Sequence, residues 1–259
     1  MSNQAHKANA FRALHVRGEP LQLLNVWDAG SAQAIAAGGA AAIATGSWSV
    51  AAANGYADGE QLPFELAIDN LRRIVAAVRG LPVSIDIESG YGATPEAVAA
   101  SVRRTIEAGA IGCNLEDSLP DNGTLRETGA QVQRLRAARK IADSLGVAYF
   151  INARTDVFFQ SGVTHDDAAV DAALERAHAY AEAGADGLFA PGLADEALIE
   201  RLAAASPLPL NIMAGATTPP PERLARCGVA RISHGPGPYR QAMKLLEEMA
   251  RSAYTRRTA

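Results

Sequence analysis

Short hydrophobic runs recur along the chain near residues 21–27, 41–47, 83–88, 112–118, 148–156, 187–192, 208–215 and 230–236, with a segment of helix length between each pair. One phrase marks the joins. A helical stretch closes on Gly, a small residue follows, and an extended run begins, as at Ala37-Gly38-Gly39-Ala40, Ala108-Gly109-Ala110, Ala183-Gly184-Ala185 and Cys227-Gly228-Val229. Glycine just past a helix end supplies the left-handed cap, so each phrase reads as helix, turn, strand. Thr94-Pro95-Glu96-Ala97 and Pro63-Phe64-Glu65 carry the opposite signal, a helix start, and Pro219-Pro220-Pro221-Glu222 marks a stiff lead into the seventh helix. Strands alternating with helices predict a parallel sheet. Eight such units predict an α/β fold closed into a (β/α)8 TIM-type barrel, with a doubly wound open sheet as the rival. No linker or low-complexity block breaks the pattern, so residues 1–259 read as one barrel domain, loosely held only over residues 1–10 and 251–259.

Polar residues collect where the runs end. They are Trp27 and Asp28 after the first, Thr45 to Trp48 after the second, Asp86 and Glu88 after the third, and Glu116 and Asp117 after the fourth. Asn152, Arg154 and Asp156 end the fifth, Asn211 and Met213 the seventh, Ser233 and His234 the eighth. In a parallel barrel the active site lies at that end of the strands. Alternation puts Asp86 and Glu88 on one face and Glu116 on the matching face of the next strand, with Ile85, Ile87 and Leu115 turned away. Carboxylates gathered in a poorly hydrated place repel one another and take up protons unless a divalent cation or fixed positive groups hold them ionised. Magnesium and manganese want oxygen ligands and keep several waters, so Asp86, Glu88 and Glu116, with Asp58 from the long loop after the second strand, form a candidate site. The competing reading is a salt-bridge network with rim arginines. No His adjoins these acids in sequence, which disfavours zinc.

Composition narrows the class. With 48% hydrophobic and 20% charged residues the chain has material for an ample core, and its net charge of −4 argues against a nucleic-acid surface. Cys113 and Cys227 form neither a CxxC pair nor a disulfide framework, and neither a signal-peptide core nor a membrane-spanning run is seen, so a reducing cytoplasm is the expected location. Lys7, Lys140 and Lys244 all lie at a terminus or in helical segments, which excludes a strand-end Schiff base. No GxxxxGK[ST] or strand-linked GxGxxG occurs, so nucleotide use is unsupported.

Single residues keep two readings. Arg154 shares a face with Asn152 and Asp156 and either pairs with Asp156 or receives a substrate carboxylate or phosphoryl group. His234, beside Gly235-Pro236-Gly237-Pro238, is an acid, a base, an anion contact or an ordinary loop histidine. His6, His15, His165 and His178 read as terminal or helix-surface residues, and Cys113 as packing.

The runs Asn25-Val26-Trp27-Asp28-Ala29-Gly30-Ser31-Ala32, Thr45-Gly46-Ser47-Trp48-Ser49-Val50, Asp86-Ile87-Glu88-Ser89-Gly90-Tyr91-Gly92, Asn114-Leu115-Glu116-Asp117 and Asn152-Ala153-Arg154-Thr155-Asp156 resemble the phosphoenolpyruvate mutase/isocitrate lyase superfamily, in order and spacing, over roughly residues 10–245. The resemblance implies a barrel whose last helix is swapped between neighbours of a homo-oligomer, a dimer or tetramer, and Mg2+-dependent chemistry (Mn2+ as the alternative) through a pyruvate-like enolate. By it, Asp86 binds the metal directly, while Asp58, Glu88 and Glu116 hold its waters. Gly46, Ser47 and Trp48 line the pocket for the substrate carboxylate, and Arg154 faces the second anionic group. Trp27 and Asn211 join the substrate-binding candidates, and Asp58, Asn122, Arg154 and His234 the catalytic ones.

Departures shape the expected activity. Glu88 stands where the superfamily usually has a second aspartate. The Lys-Arg-Cys-Gly-His loop of isocitrate-type lyases is replaced by residues 118–125, which resemble the mutase gating loop without its lysine and with Asn122 one place early. Pro191 stands where the mutase carries a histidine. The leading expectation is cleavage of a C–C bond in a small 2-oxo or 2-hydroxy dicarboxylate. P–C bond chemistry (phosphonopyruvate hydrolase or phosphoenolpyruvate mutase) and a non-catalytic dicarboxylate-binding barrel are the alternatives, and residues 118–128 are the candidate lid.

Overall fold

The structure, a computed structural model, describes residues 2–255. Its strands are β1 (Leu21–Leu23), β2 (Asn25–Val26), β3 (Ile43–Thr45), β4 (Val83–Asp86), β5 (Gly112–Glu116), β6 (Phe150–Arg154), β7 (Gly187–Phe189), β8 (Leu210–Met213) and β9 (Arg231–Ser233), all parallel. β1 and β2 are two halves of one strand, interrupted at Leu24. The first half pairs with β9 and the second with β3, which brings the ring round to a (β/α)8 barrel. The expected helix caps are present: Thr94 accepts the Ala97 N–H at the start of α5 (Pro95–Glu107), and Gly39, Gly109, Gly184 and Gly228 take φ between 83° and 101°.

Alternation sorts the strand residues as the sequence predicts. Ile85, Leu115, Ile151, Leu188, Ile212 and Ile232 face outward and are buried under the helices, in the main core. Ser84, Asn114, Asn152, Asn211, Arg231 and Ser233 face the barrel interior and are buried as well. Phe150 fills the bottom of that interior, and its neighbours in register, Gly112 and the Gly187 next to Asn152, leave room for it. A Cβ on Gly112 would meet the Phe150 carbonyl at 2.7 Å, and one on Gly187 would meet Asn152 Oδ1 at 2.7 Å and the Phe150 ring at 3.0 Å.

Four expectations change. Residues 2–10 are not loose: α1 (Ser2–Ala13) closes the amino end of the barrel, with Ala8 and Phe11 fully buried. The apolar residues at i and i+3 on this helix were too few to stand out in sequence. His15, expected at the surface, stacks on Phe150 with ring centroids 4.1 Å apart and meets Phe11 edge-on. Residues 251–255 continue α10 (Gly237–Thr255), while 256–259 lie outside the described residues. The third predicted strand also stops early: β4 ends at Asp86, and Glu88 has φ 51°, so strand alternation no longer governs where its side chain goes.

Candidate active site

A cavity of about 300 Å³ opens at the carboxyl ends of the strands. Gly46, Ser47 and Trp48 at the start of α3 (Ser47–Ala53) form one wall, Asp58 and Asp86 another, and Asn114, Arg154 and Ser233 reach it from three further strands. Phe159, Phe189 and Met213 supply apolar surface. Gly46 is held against Asn25, whose Cβ would lie 3.2 Å from a Cβ at Gly46, and Asn25 Nδ2 donates to the Thr45 carbonyl. Arg240 lays its guanidinium over Trp48, 4.6 Å from the ring centroid, and Tyr239 wedges edge-on between Trp27 and Trp48.

The carboxylates are crowded around Asp86. Asp86 receives its own backbone support from Thr45 Oγ1, which accepts the Asp86 N–H at 2.9 Å, and its Oδ1 accepts the Glu88 N–H. Partial enclosure and then the charge of Asp86 push Asp58 above the usual carboxylate range, against a hydrogen bond from Ser47. Burial, followed by the charges of Asp58 and Asp86, raises Glu88 to about 7. Glu116 is raised well above its ordinary value, chiefly by burial, although Arg154 Nη1 lies 2.8 Å from its Oε2.

Arg154 makes the structural pairing with Asp156 that its sequence position suggested, and it also lines the cavity. Its Nε and Nη2 donate to Asp156 at 2.6 and 2.9 Å, and Nη1 pairs with Glu116. Burial opposes its charge, but Glu116 and Asp156 more than restore it, so it stays a cation. Each terminal nitrogen keeps a second hydrogen for a ligand in the cavity. Asp156 is itself fixed: Ser118 Oγ donates to it at 2.5 Å and its N–H goes to Asp117, which is wholly buried and also accepts from Tyr180 and Arg176.

Other candidates lie elsewhere. Trp27 supports the cavity from behind, packed on the cluster of Val50, Ala51, Leu62 and Ala67. Asn211 is buried below the cavity and accepts from Ser233. Asn122 is exposed and folds back on Thr124, within a hairpin closed by the Ser118–Leu125 bridge. The His234 ring points away to Gln22, 3.1 Å from its Oε1, and lines a separate groove with Leu24 and Ala214. Cys113 is buried, and burial pushes its thiol up to about 12, the state of a packing residue. Sequence reading passed over Arg231, although alternation with Ser233 places it inside the barrel. It is 1% exposed, reaches Asn114 and Ser233 only at 3.4 and 3.3 Å, and is pushed down to about 10 by burial, against the pull of Asp86.

The donor set suits a hard cation that keeps its waters. Among the described residues no three His, Cys, Asp or Glu side chains form a closed cage. Two cavity-facing carboxylates, Asp86 and Asp58, with Glu116 beyond, instead resemble a site where one acid binds directly and others hold waters. Burial first, and the charge of Asp86 in addition, raise the proton affinity of Asp58 and Glu116, a penalty on their ionised forms that a nearby cation would relieve.

The sequence profile of the family named phosphoenolpyruvate phosphomutase matches residues 11–254. The chain belongs to that family. A Burkholderia cenocepacia protein provisionally named a phosphonomutase has a crystal structure 57% identical to this chain, with TM-score 0.94 over 96% of this chain and 99% of that one. An uncharacterized Mycobacterium tuberculosis protein is 32% identical over 249 residues, 94% of this chain and 88% of that one. The 2-methylisocitrate lyase of Escherichia coli is 32% identical over 220 residues, 81% of this chain and 71% of that enzyme. The named relatives include lyases, and a phosphonopyruvate hydrolase of the same fold, 22% identical with TM-score 0.83 over 96% of this chain and 87% of that one, was crystallised with oxalate and Mg2+. No helix among the described residues is long and apolar enough to cross a membrane.

Proposed function

We propose that this family member is a divalent-metal-dependent lyase that cleaves a C–C bond of a small 2-oxo or 2-hydroxy dicarboxylate and releases a pyruvate-type enolate. The observation that carries the reading is the polarity of one small cavity, with Asp86 and Asp58 at one side and the spare hydrogens of Arg154 at the other. A cavity of about 300 Å³ suits a ligand of a few carbons rather than a nucleotide or a sugar chain. Asp86 would bind Mg2+ or Mn2+, with Asp58 and Glu116 holding its waters. The cation supplies a positive centre for the oxygen that gains charge as the enolate forms. Gly46, Ser47 and Trp48 line the first carboxylate, and Arg154, locked by Asp156 and Glu116, presents a preorganised fork to the second. Phe159, Phe189 and Met213 exclude water, so the electron pair of the breaking bond passes into the enolate and not to a passing proton.

P–C bond chemistry is the second reading, favoured by the name of the 57% identical Burkholderia protein. Incubation with Mg2+ and oxaloacetate, alkylmalates or phosphonopyruvate, following pyruvate release, separates the two. Turnover of phosphonopyruvate alone would reverse their order, and binding of oxalate with no turnover of any would mean a non-catalytic barrel.

The same reading includes association through α10. This helix buries none of its residues, and Leu245, Leu246 and Met249 are 58%, 55% and 60% exposed. Such a face on a helix that leaves its own barrel fits a homo-oligomer that shares the helix. Leu246→Lys with Met249→Lys should lower the mass measured by analytical ultracentrifugation; an unchanged mass would remove α10 from the interface.

A further inference from the structure

The cavity does not use the carboxylate of Glu88, which is turned to a different task. Two tight turns from neighbouring loops meet beside Asp58: residues 58–60, between α3 and α4 (Phe64–Ala77), and residues 88–91, after β4. Glu60, Glu88 and Tyr91 have φ of 60°, 51° and 52°, the non-glycine residues with positive φ among those described, and Gly59 has 89°. Side-chain-bearing residues adopt this conformation at a cost, and it persists only where surrounding bonds over-determine it. Here the bonds are reciprocal. Glu88 Oε2 accepts the N–H groups of Gly59 and Glu60 at 2.7 and 2.6 Å, and Oε1 accepts the Tyr91 hydroxyl at 3.0 Å. In return, Glu60 Oε1 accepts the Ser89 hydroxyl at 2.6 Å and the Tyr91 N–H at 2.8 Å. Behind the turn the buried Arg134 of α6 (Thr128–Ser144) donates to the carbonyls of Ser89, Gly92 and Ala93, and Phe64 stacks on Tyr91 at 4.6 Å. Glu88 is 3% exposed, so these bonds are sheltered from water.

We propose that Glu88 is a positioning residue: its carboxylate clasps the 58–60 turn onto the 88–91 turn and so fixes Asp58 beside Asp86. The functional part of this rests on the reading that Asp58 and Asp86 form the cation end of the cavity. The clasp needs the length of glutamate. An aspartate at this position retracts the carboxylate by about one C–C bond, about 1.5 Å, and loses both turn amides.

Glu88→Gln and Glu88→Asp separate clasping from charge. Glutamine keeps the reach and an oxygen for Gly59 and Glu60 and offers its amide to the Tyr91 oxygen; aspartate keeps the charge without the reach. The readouts are hydrogen exchange at the Gly59 and Glu60 amides of the metal-free protein and Mn2+ affinity by calorimetry. E88Q should keep slow exchange and an affinity within about threefold of the parent, while E88D should speed exchange at both amides and weaken Mn2+ by about tenfold or more, the loss expected for charge-assisted hydrogen bonds. Parent-like exchange and affinity in E88D, or lost affinity with unchanged exchange in E88Q, would overturn the proposal, the second by making Glu88 a charge donor to the cation. If E88D does not fold, Glu60→Ala removes the other arm of the clasp and should speed the same two amides; no change there would also overturn it. A parent protein that binds no Mn2+ would sink the proposed function and leave the exchange comparison as the test of the clasp.

Discussion

At the amino end of the barrel Arg12 and Arg139 converge on Asp186, Asp143 also pairs with Arg139, and the ring of His15 is kept neutral between Phe11 and Phe150. At the carboxyl end Asp58, Asp86, Glu88 and Glu116 crowd together while Arg154 is already committed to Glu116 and Asp156. Both ends withdraw charge from water, and only one balances it. Balanced burial makes a floor; an excess of one sign at the mouth calls for a ligand of the other, which is why the proposed chemistry is placed at the mouth and not at the floor.

Substitutions can break that contrast from either side. Asp86→Ala should abolish Mn2+ binding in calorimetry and lower turnover on the order of 10³-fold or more, since it removes the proposed direct ligand and the charge that the cation would answer. Activity untouched by both this change and a chelator would end the metal reading. Arg154→Met should cost about 3–5 kcal/mol in denaturant unfolding, because Glu116 and Asp156 are left as buried acids without their cation, and should cut kcat/KM about 10²-fold in whichever substrate is turned over. At the floor, Phe11→Ala should cost a similar 3–5 kcal/mol or so by opening a cavity under Phe150, yet leave kcat and KM unchanged at a temperature where the variant stays folded. Altered kinetics in that variant would show that the two ends are coupled.

The smallest expected effect is in pH, read over the mild acid range of about pH 6.5 to 5, where it amounts to about 2 kcal/mol. Burial, and then Arg231, push His15 down from its ordinary value to about 3, so the folded protein holds the neutral ring while the unfolded chain protonates near 6.5. The stability this gives is complete above pH 6.5 and is lost progressively as pH falls towards 3. In His15→Leu that loss is absent. The stability of the variant relative to the parent should therefore rise on acidification from pH 6.5, and parallel stability curves would mean that the ring is not shielded as described.

How much of this was legible in sequence follows from what sets each side chain's direction. Within strands, alternation placed Asp86, Glu116 and Arg154 inward and Ile85 and Leu115 outward, and it would have found Arg231 had a lone mid-strand arginine been weighed. Two residues past a strand it fails: Glu88 was expected beside Asp86 on a common face, and a positive φ sends it to Gly59 and Glu60 instead. His234 likewise sits just beyond β9, and its ring is drawn to Gln22 on the far side from the cavity. The floor was hidden for another reason. α1 has little periodicity, and what orders it is the fit of Phe11 and His15 against Phe150, more than a hundred residues away.

The repeating pattern of the chain by itself determined the barrel, the end of the barrel at which the polar residues gather, and the acids and the arginine that gather there. Those follow from local periods of two and 3.6 residues, which need no knowledge of distant contacts. Only the tertiary structure decided which acids face the cavity, which one clasps a neighbouring loop, and what closes the floor. Those choices are made by hydrogen bonds and packing between segments far apart in sequence, and no local period encodes them.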